Sequence, residues 1–219
     1  HRIPFPPDRG DKIRSHHVLR AIARLAPVHV ACLADDDQDL AEEFELAGLA
    51  ASHCLVERTK PMIQAGLEAM ARGLPVSVTA FRHAGIAAYV AEVLRTRPIS
   101  TIYVFSGQMG QYVPDSFTGR VVMDFVDVDS AKFDAYARTG ALPMRWIHAR
   151  EARLLRNEEA RLAMRADASL LITAEEAALF RARLTPTERT CAEVRVLGNG
   201  MDSASFDPVI VAPELQLLE

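Results

Sequence analysis

Long apolar runs are absent from this sequence. No stretch of its 219 residues approaches the roughly 18 consecutive apolar residues that a membrane-spanning helix needs. No signal-peptide pattern, internal repeat or low-complexity segment is visible. Since 49% of the residues are hydrophobic and 25% are charged, the chain can still bury a sizeable core, which excludes the disordered class.

Cysteine and lysine are both scarce. The cysteines Cys32, Cys54 and Cys191 are odd in number and lack a Cys-x-x-Cys spacing, which argues against a disulfide framework. A reducing compartment, the cytoplasm, is therefore predicted. Arginine supplies nearly all of the 25 basic residues. The net charge of −4 at pH 7 argues against a nucleic-acid binder, which is usually basic.

Several catalytic signatures are missing as well. There is no Gly-x-Gly-x-x-Gly, no P-loop and no Gly-x-Ser-x-Gly, which argues against classical dinucleotide-binding, P-loop and serine-hydrolase proteins. The seven histidines have no metal-binding spacing and form no His-Glu-x-x-His. These signatures therefore predict neither a metal nor a cofactor.

The chain does contain a regular alternation of apolar strand-like runs and helical segments. Strands are predicted at residues 28–33, 52–56, 101–105, 121–126, 168–172 and 193–197. Helices are predicted after Asp11 and at residues 40–49, 62–71, 86–94, 143–165 and 175–184. Residues 75–81 are predicted to form a short strand or an extended connection. Because the strands are apolar on both faces, we expect an α/β fold with a Rossmann-like, doubly wound, mostly parallel sheet and helices on both faces.

The first residues form the most distinctive stretch. Residues 1–5 read as the end of a strand whose beginning is missing, and residues 6–10 form a tight loop in which Gly10 permits the turn. Asp11 is the candidate N-cap of the next helix, whose unpaired N–H groups predict an anion site. The alternative is an ordinary strand-to-helix turn with solvated charges. The basic neighbours are Arg9, Lys12 and Arg14, and the predicted apolar face of the helix comprises Ile13, Val18, Ile22 and Leu25.

Other polar residues fall at the carboxyl ends of predicted strands, where doubly wound sheets bind their ligands. Asp127 and Asp129 form an Asp-x-Asp pair that suits a divalent metal. Alternatively, Asp129 or Ser130 caps the following helix while Asp127 binds loop amides. Asp124 interrupts an apolar strand, and a buried carboxylate needs either partners or a functional role. The full set at strand ends comprises Gly10, Ser106 to Gln108, Asp127 to Ser130, Thr173, Asn199 and Gly200.

The predicted helix 143–165 is rich in arginine and also carries apolar residues. A basic amphipathic helix can rest on an anionic membrane. The commoner alternative is a solvated face with ion pairs, for which Arg156–Glu159 and Glu158–Arg161 have suitable spacing.

Four segments together resemble the amino-terminal half of family 4 retaining glycosyltransferases of the GT-B fold. They are residues 4–15 (Pro-Phe-Pro-Pro-Asp-Arg-Gly-Asp-Lys-Ile-Arg-Ser), 121–130 (Val-Val-Met-Asp-Phe-Val-Asp-Val-Asp-Ser), 145–153 (Arg-Trp-Ile-His-Ala-Arg-Glu-Ala-Arg) and 198–208 (Gly-Asn-Gly-Met-Asp-Ser-Ala-Ser-Phe-Asp-Pro). The group most similar to them comprises sugar transferases associated with bacterial exopolysaccharide and PEP-CTERM systems.

This resemblance implies a function and a set of binding residues. The chain would be the acceptor-binding domain, residues 1–200, and residues 201–219 would begin the linker to a donor-binding domain that is absent here. Alone, the chain would then transfer no sugar. The implied partners are a nucleotide-sugar donor, bound mainly by that other domain, and a glycan or lipid-linked acceptor, at the cytoplasmic side or on the inner membrane. The implied substrate-binding residues are Arg9, Gly10, Asp11, Arg14, Ser106, Gln108, Asp127, Asn199 and Gly200.

The sequence departs from the family in one respect and leaves two other functions open. Many relatives carry a catalytically important histidine where this chain has 106–108, Ser-Gly-Gln, so no catalytic residue can be assigned. GT-B enzymes usually need no metal, which separates residues 127–129 from the metal-binding motif of the other glycosyltransferase fold. The alternatives are a non-catalytic α/β interaction domain that docks through residues 143–165, and half of another GT-B-like enzyme such as a nucleotide-sugar epimerase.

Overall fold

The computed structural model describes residues 1–200 of the chain, so the predicted linker, 201–219, lies outside the described residues. The strands are β1 His29–Ala34, β2 Ser52–Glu57, β3 Thr101–Phe105, β4 Arg120–Val126, β5 Ala168–Leu171 and β6 Val194–Val196. The helices are α1 Gly10–Ala23, α2 Asp37–Ala41, α3 Glu43–Leu49, α4 Met62–Arg72, α5 Val76–Ala80, α6 Ala84–Thr96, α7 Asp129–Thr139, α8 Met144–Arg165, α9 Ala174–Arg183 and α10 Pro186–Cys191, with a 3₁₀ helix at Gly107–Tyr112. Within residues 1–200, no helix is both long and apolar enough to cross a bilayer.

The strands form two parallel sheets, one with the order β1-β2 and the other with the order β3-β4-β5-β6. Helices connect successive strands and surround both sheets. The predicted α/β class with a Rossmann-like, doubly wound arrangement is therefore confirmed, and each of the six predicted strands overlaps an observed one. The main core forms where the sheets and helices meet, and its largest fully buried side chains include Leu33, Ile86, Val121, Met123, Leu162, Leu171 and Phe180.

The prediction for residues 75–81 is wrong, because Val76–Ala80 is the short helix α5. The valines favour a strand on propensity alone. A carboxylate far along the chain overrides that preference, since Glu151 of α8 accepts hydrogen bonds from the Val76 and Ser77 N–H groups at 2.8 Å each. The first turn of α5 is therefore stabilised by a residue 75 positions away.

The start of α7 is stabilised in the same way. The prediction that Asp129 or Ser130 caps this helix is wrong, because Val128 occupies the N-cap position. The Ser130 N–H instead donates to Glu159 of α8 at 2.8 Å, and its hydroxyl donates to the same carboxylate at 2.5 Å. The Val128 N–H donates to Glu176 of α9 at 2.8 Å. The buried Glu159 and the half-buried Glu176 thus fix the loop between β4 and α7.

Helix α8 is both a buried and a solvated element. The predicted pair Glu158–Arg161 is present at 2.7 Å. The predicted pair Arg156–Glu159 is wrong, because Glu159 is buried against Ser130 and Arg156 contacts Asp134 at 3.3 Å. The reason is that Glu159 lies on the face of α8 that packs against α7, where it accepts a hydrogen bond from the first turn of α7.

The capping role of Glu159 makes stability depend on pH. Burial raises the pKa of Glu159 from its ordinary 4.5 to about 7, against the lowering effect of the Ser130 hydrogen bonds. The pKa of Glu159 is higher in the folded than in the unfolded state, so the neutral side chain favours folding. This contribution to stability is fully present below pH 4.5 and is lost as the pH rises through 7. A shift of this size corresponds to about 3 kcal/mol.

We expect the substitution Glu159→Gln, which imitates the neutral acid, to remove this loss of stability. The difference in the free energy of unfolding between variant and parent should therefore rise by about 3 kcal/mol between pH 4.5 and pH 7. Urea unfolding at half-unit pH steps measures this difference. A parallel pH dependence in the two proteins would contradict the assignment.

Candidate functional site

Helix α1 begins with an accessible loop at the carboxyl edge of β1. The prediction that Asp11 is its N-cap is wrong, since Arg9 occupies that position, with extended backbone, and Asp11 lies in the first turn. No side chain among residues 1–200 caps the helix. A Cβ placed on Gly10 would meet no atom of the described chain within 4 Å. The first N–H groups of α1 therefore lie beside open space, where anions are favoured.

The predicted apolar face of α1 is wrong in part, because Ile13 and Leu25 are exposed. The buried residues of α1 are instead polar, namely Lys12, Arg14 and His16. The Lys12 ammonium donates to Asp39 at 2.5 Å and to the Phe5 carbonyl at 3.0 Å. Lys12 therefore holds the opening loop against β1 and α2 and does not face the loop mouth.

Arg14 lies at the centre of a buried polar network. Its guanidinium forms two hydrogen bonds to the carboxylate of Asp124, at 2.9 and 3.1 Å, and Asp124 is fully buried. A third guanidinium nitrogen, Nη1, donates to the Asn199 side-chain oxygen at 2.9 Å and to the Leu197 carbonyl at 2.8 Å. The Tyr103 hydroxyl donates to Asp124, and burial together with that carboxylate raises the pKa of Tyr103. Of the two alternatives predicted for Asp124, the structure thus shows buried partners.

The ends of β3 and β4 carry unusual backbone. Ser106, directly after β3, has φ +74°, and Val126, the last residue of β4, has φ +71°. This region is costly for a β-branched residue such as Val126. A register shift between Asp124 and Val126 accompanies it. Strain of this kind persists only where the surrounding structure holds it in place, and it is concentrated at functional sites.

The polar residues that follow these two strands contact one another. The Gln108 amide donates to Asp129 at 2.9 Å, and the Ser106 hydroxyl contacts Gln108. The Lys132 ammonium contacts Asp127 at 2.7 Å and Asp129 at 3.2 Å. Burial raises the pKa of Asp129 despite Lys132. An internal cation therefore bridges the two carboxylates of the Asp-x-Asp pair.

A second group of charges surrounds Asp35, just after β1. Arg2 and Arg58 both contact its carboxylate, Arg58 at 2.7 Å, and Arg9 approaches it at 3.7 Å. Although burial opposes the effect, hydrogen bonds from Arg58 and Arg2 hold the pKa of Asp35 below its ordinary value. Asp11 contacts Arg2 at 3.1 Å and Arg9 at 3.2 Å. Three guanidinium groups thus face two carboxylates, which leaves an excess of positive charge.

A cationic cavity of about 330 Å³ adjoins this group at the ends of β1 and β2. Carboxylates and amides fix its cations, since Lys60 contacts Glu68 at 2.8 Å and Arg82 contacts Gln111 at 3.1 Å. Its lining comprises Leu33, Arg58, Thr59, Lys60, Gln64, Ala80, Arg82, His83 and Ala84. Sequence reasoning missed this cavity. The available signal was the basic run after β2 and the Arg-His pair just before α6.

The predicted substrate-binding residues fall into three groups along the carboxyl edge. Arg9, Gly10 and Asp11 form the first group, which is linked to the cationic cavity because Asp35 contacts both Arg9 and the cavity residue Arg58. Arg14 contacts Asn199, which is exposed, as is Gly200. Ser106, Gln108 and Asp127 form the third group through Asp129 and Lys132. Arg14 differs from the others, since its guanidinium is buried and makes four hydrogen bonds to protein partners.

The buried pair Arg14–Asp124 should be strongly coupled. We expect Arg14→Met or Asp124→Leu alone to cost about 3–5 kcal/mol of unfolding free energy, because each leaves an uncompensated buried charge. The double variant should be less destabilised than the sum of the two by at least about 2 kcal/mol. Urea unfolding of the four proteins measures the coupling. The exposed pair Arg95–Glu92 is the matched control and should couple by less than about 0.5 kcal/mol. Additive effects at Arg14 and Asp124 would disprove the coupling.

Comparison with protein-family models, with curated proteins and with solved structures gave no match to this chain.

Proposed function

We propose that this chain is the amino-terminal, acceptor-binding domain of a retaining glycosyltransferase with a GT-B fold. The full-length protein would transfer a sugar from a nucleotide-sugar donor to a glycan or lipid-linked acceptor, in bacterial exopolysaccharide or glycolipid synthesis. Two features support the proposal, namely the doubly wound α/β fold and the four sequence segments that resemble this family. The donor would be bound mainly by a second domain, without a metal or another cofactor.

The observation that carries the proposal is the cationic cavity, which Arg58, Asp35 and Arg9 link to the uncapped start of α1. A volume of about 330 Å³ lies at the lower end of the range of small-molecule sites. Arg58, Lys60 and Arg82 line it, and each contacts a protein acceptor that fixes its position. Cations held in this way bind phosphate and sugar hydroxyl groups without paying for side-chain ordering. A phosphorylated or hydroxyl-rich acceptor is the ligand that fits this chemistry best.

Each part of the site would have a distinct role. The accessible N–H groups at Gly10 would stabilise negative charge at the donor phosphates or at the acceptor. The cavity cations would orient the acceptor. The constrained backbone at Ser106 and Val126 would hold the neighbouring loop in one position. No side chain is assigned as a base, since retention in this class depends on phosphate stabilisation by cations and helix dipoles.

Turnover by the full-length protein tests this proposal. Release of nucleoside diphosphate is measured with a panel of nucleotide sugars and a lipid-linked acceptor. We expect Arg82→Gln to raise the acceptor KM about 10- to 150-fold, which corresponds to one lost charge-assisted hydrogen bond. Gly10→Trp should lower turnover while the melting temperature stays close to that of the parent, because open space surrounds Gly10.

The matched control is Arg95→Gln. Arg95 lies in the last turn of α6, at the opposite end from His83 and the cavity. Among residues 1–200 it pairs only with Glu92, at the surface. It should leave KM and turnover unchanged. Failure of every nucleotide sugar to react, or kinetics at Arg82→Gln and Gly10→Trp that match Arg95→Gln, would refute the proposal.

A second candidate function is peripheral contact with the inner membrane through the start of α8. Trp146 is 71% exposed, and Leu142, Met144 and Ile147 beside it are exposed as well. Arg145, also exposed, adds a positive charge at this end of the helix. Exposed aromatic and aliphatic residues next to a cation suit the interface of an anionic bilayer.

The fluorescence of Trp146, the single tryptophan of the chain, reports this contact directly. We expect vesicles that contain anionic phosphatidylglycerol to shift its emission to shorter wavelength, because the indole leaves water. Pure phosphatidylcholine vesicles should have a smaller effect, and Ile147→Ser should weaken binding to the anionic vesicles. An emission spectrum that anionic vesicles leave unchanged would eliminate this function.

A further inference from the structure

Two strand edges in this structure face a cleft where a continuous sheet would be expected. β1 is paired with β2 on one side only, and β3 is paired with β4 on one side only. In the described part of the chain, the strand contact on the free side of β1 is the bridge between Arg2 and Leu33. Neither strand is buried in its first half, unlike central strands of a doubly wound sheet.

The two edges present matching rows of backbone groups. In a parallel ladder, alternate residues direct both N–H and C=O to the same neighbour. Val28 and Ala34 bond to the β2 side, so His29 and Ala31 point into the cleft. By the same alternation, Ser100 and Ser106 bond to the β4 side of β3. The groups of β3 that point into the cleft therefore belong to Thr101, Tyr103 and Phe105.

The cleft between these edges has a volume of about 1070 Å³ and mostly apolar walls. One wall comes from α1 and another from α6, while β1 and β3 form its two sides. An exposed apolar cleft of this size is unusual for a folded domain, because it leaves apolar surface in contact with water. The wall residues from the two helices include Val18, Leu19, Ile22, Tyr89, Val90 and Val93.

Residues 1–3 already occupy the carboxyl end of this cleft as a strand. The Ile3 N–H donates to the Leu33 carbonyl, and the Leu33 N–H donates to the His1 carbonyl, each at 2.8 Å. The pairing is parallel, with Arg2 opposite Leu33. In the same register, His1 lies opposite Cys32, and three further residues on the amino side of His1 would reach His29.

We propose that the cleft accommodates a central parallel β-strand that leads directly into His1. This strand would carry apolar side chains on both faces. This strand would pair with β1 on one side and with β3 on the other. The two sheets would then become one sheet with the order β2-β1-central strand-β3-β4-β5-β6. The occupant is a segment of the same polypeptide, because the polarity and register of residues 1–3 specify it.

The environment of His1 supports a peptide bond at this position. Burial lowers the pKa of its α-amino group to about 5, since an ammonium ion would lose its hydration there. The imidazole ring stacks on Phe81 at 4.8 Å. An uncharged peptide N–H suits these surroundings better than a charged amine.

The test is an extension of the 219-residue chain by Lys-Val-Leu-Val-Val joined to His1. The matched control is Lys-Val-Pro-Val-Pro, whose prolines cannot donate ladder hydrogen bonds. We expect amide hydrogen exchange at Ala31, Tyr103 and Phe105 to slow by about tenfold or more in the first protein and by much less in the control. The Val30 amide, which faces β2 in both proteins, is the internal reference.

Three results would overturn the proposal. The first is unchanged exchange at Ala31 and Tyr103 in the extended chain. The second is equal protection by both extensions. The third is protection in the parent chain that increases with protein concentration, which would assign the cleft to a second copy. If the extension does not fold, the peptide Lys-Val-Leu-Val-Val, acetylated and amidated, is added to the parent chain, and absence of protection at saturation would count equally against the proposal.

Discussion

The position of α1 depends on one buried ion pair, between Arg14 of that helix and Asp124 of β4. The two residues are 110 positions apart, and both are nearly or fully buried. The pair joins the first helix to the middle of the four-stranded sheet, and through Asn199 it also reaches the end of the described chain. A buried pair adds little net stability compared with apolar packing, but it tolerates only one geometry. That geometry puts the Gly10 loop at the carboxyl edge of the sheets.

Helix starts in this protein differ in how their N–H groups are satisfied. The starts of α5 and α7 receive carboxylates from α8, namely Glu151 and Glu159, while α9 is capped locally by Thr173. The start of α1 has no side-chain cap from the described residues. Its free N–H groups lie next to a surplus of guanidinium groups around Asp35. The charge distribution therefore favours an external anion at this helix start and disfavours one at α7.

The sequence could predict the elements of the fold but not its long-range polar contacts. Apolar runs identified the strands because burial on both faces requires nearly continuous hydrophobicity. Residues 76–80 could not be recognised as a helix, since the stabilising Glu151 lies on another element. The sequence alone predicts Lys12 and Arg14 to lie beside the loop mouth, because their partners Asp39 and Asp124 are distant in sequence.

The sequence indicates at which edge of the sheet a site is expected, but it does not indicate which residues line that site. The rule that ligands bind at the carboxyl ends of parallel strands directs the prediction to the edge that carries Ser106 and Asn199. It could not select Arg58 and Arg82, because isolated arginines look the same in sequence whether they are solvated or line a cavity. Their role depends on Asp35 and Gln111, which hold them and are recognisable only in three dimensions.

The central strand proposed for the cleft also explains why the opening loop occupies this place. With that strand between β1 and β3, the strand order reverses at its position, and ligand sites of doubly wound sheets form at such reversals. The strand would run through residues 1–5 directly into the loop that contains Gly10. The loop, the uncapped start of α1 and the cationic cavity would then share one origin, namely the crevice that opens where connections leave the sheet in opposite directions.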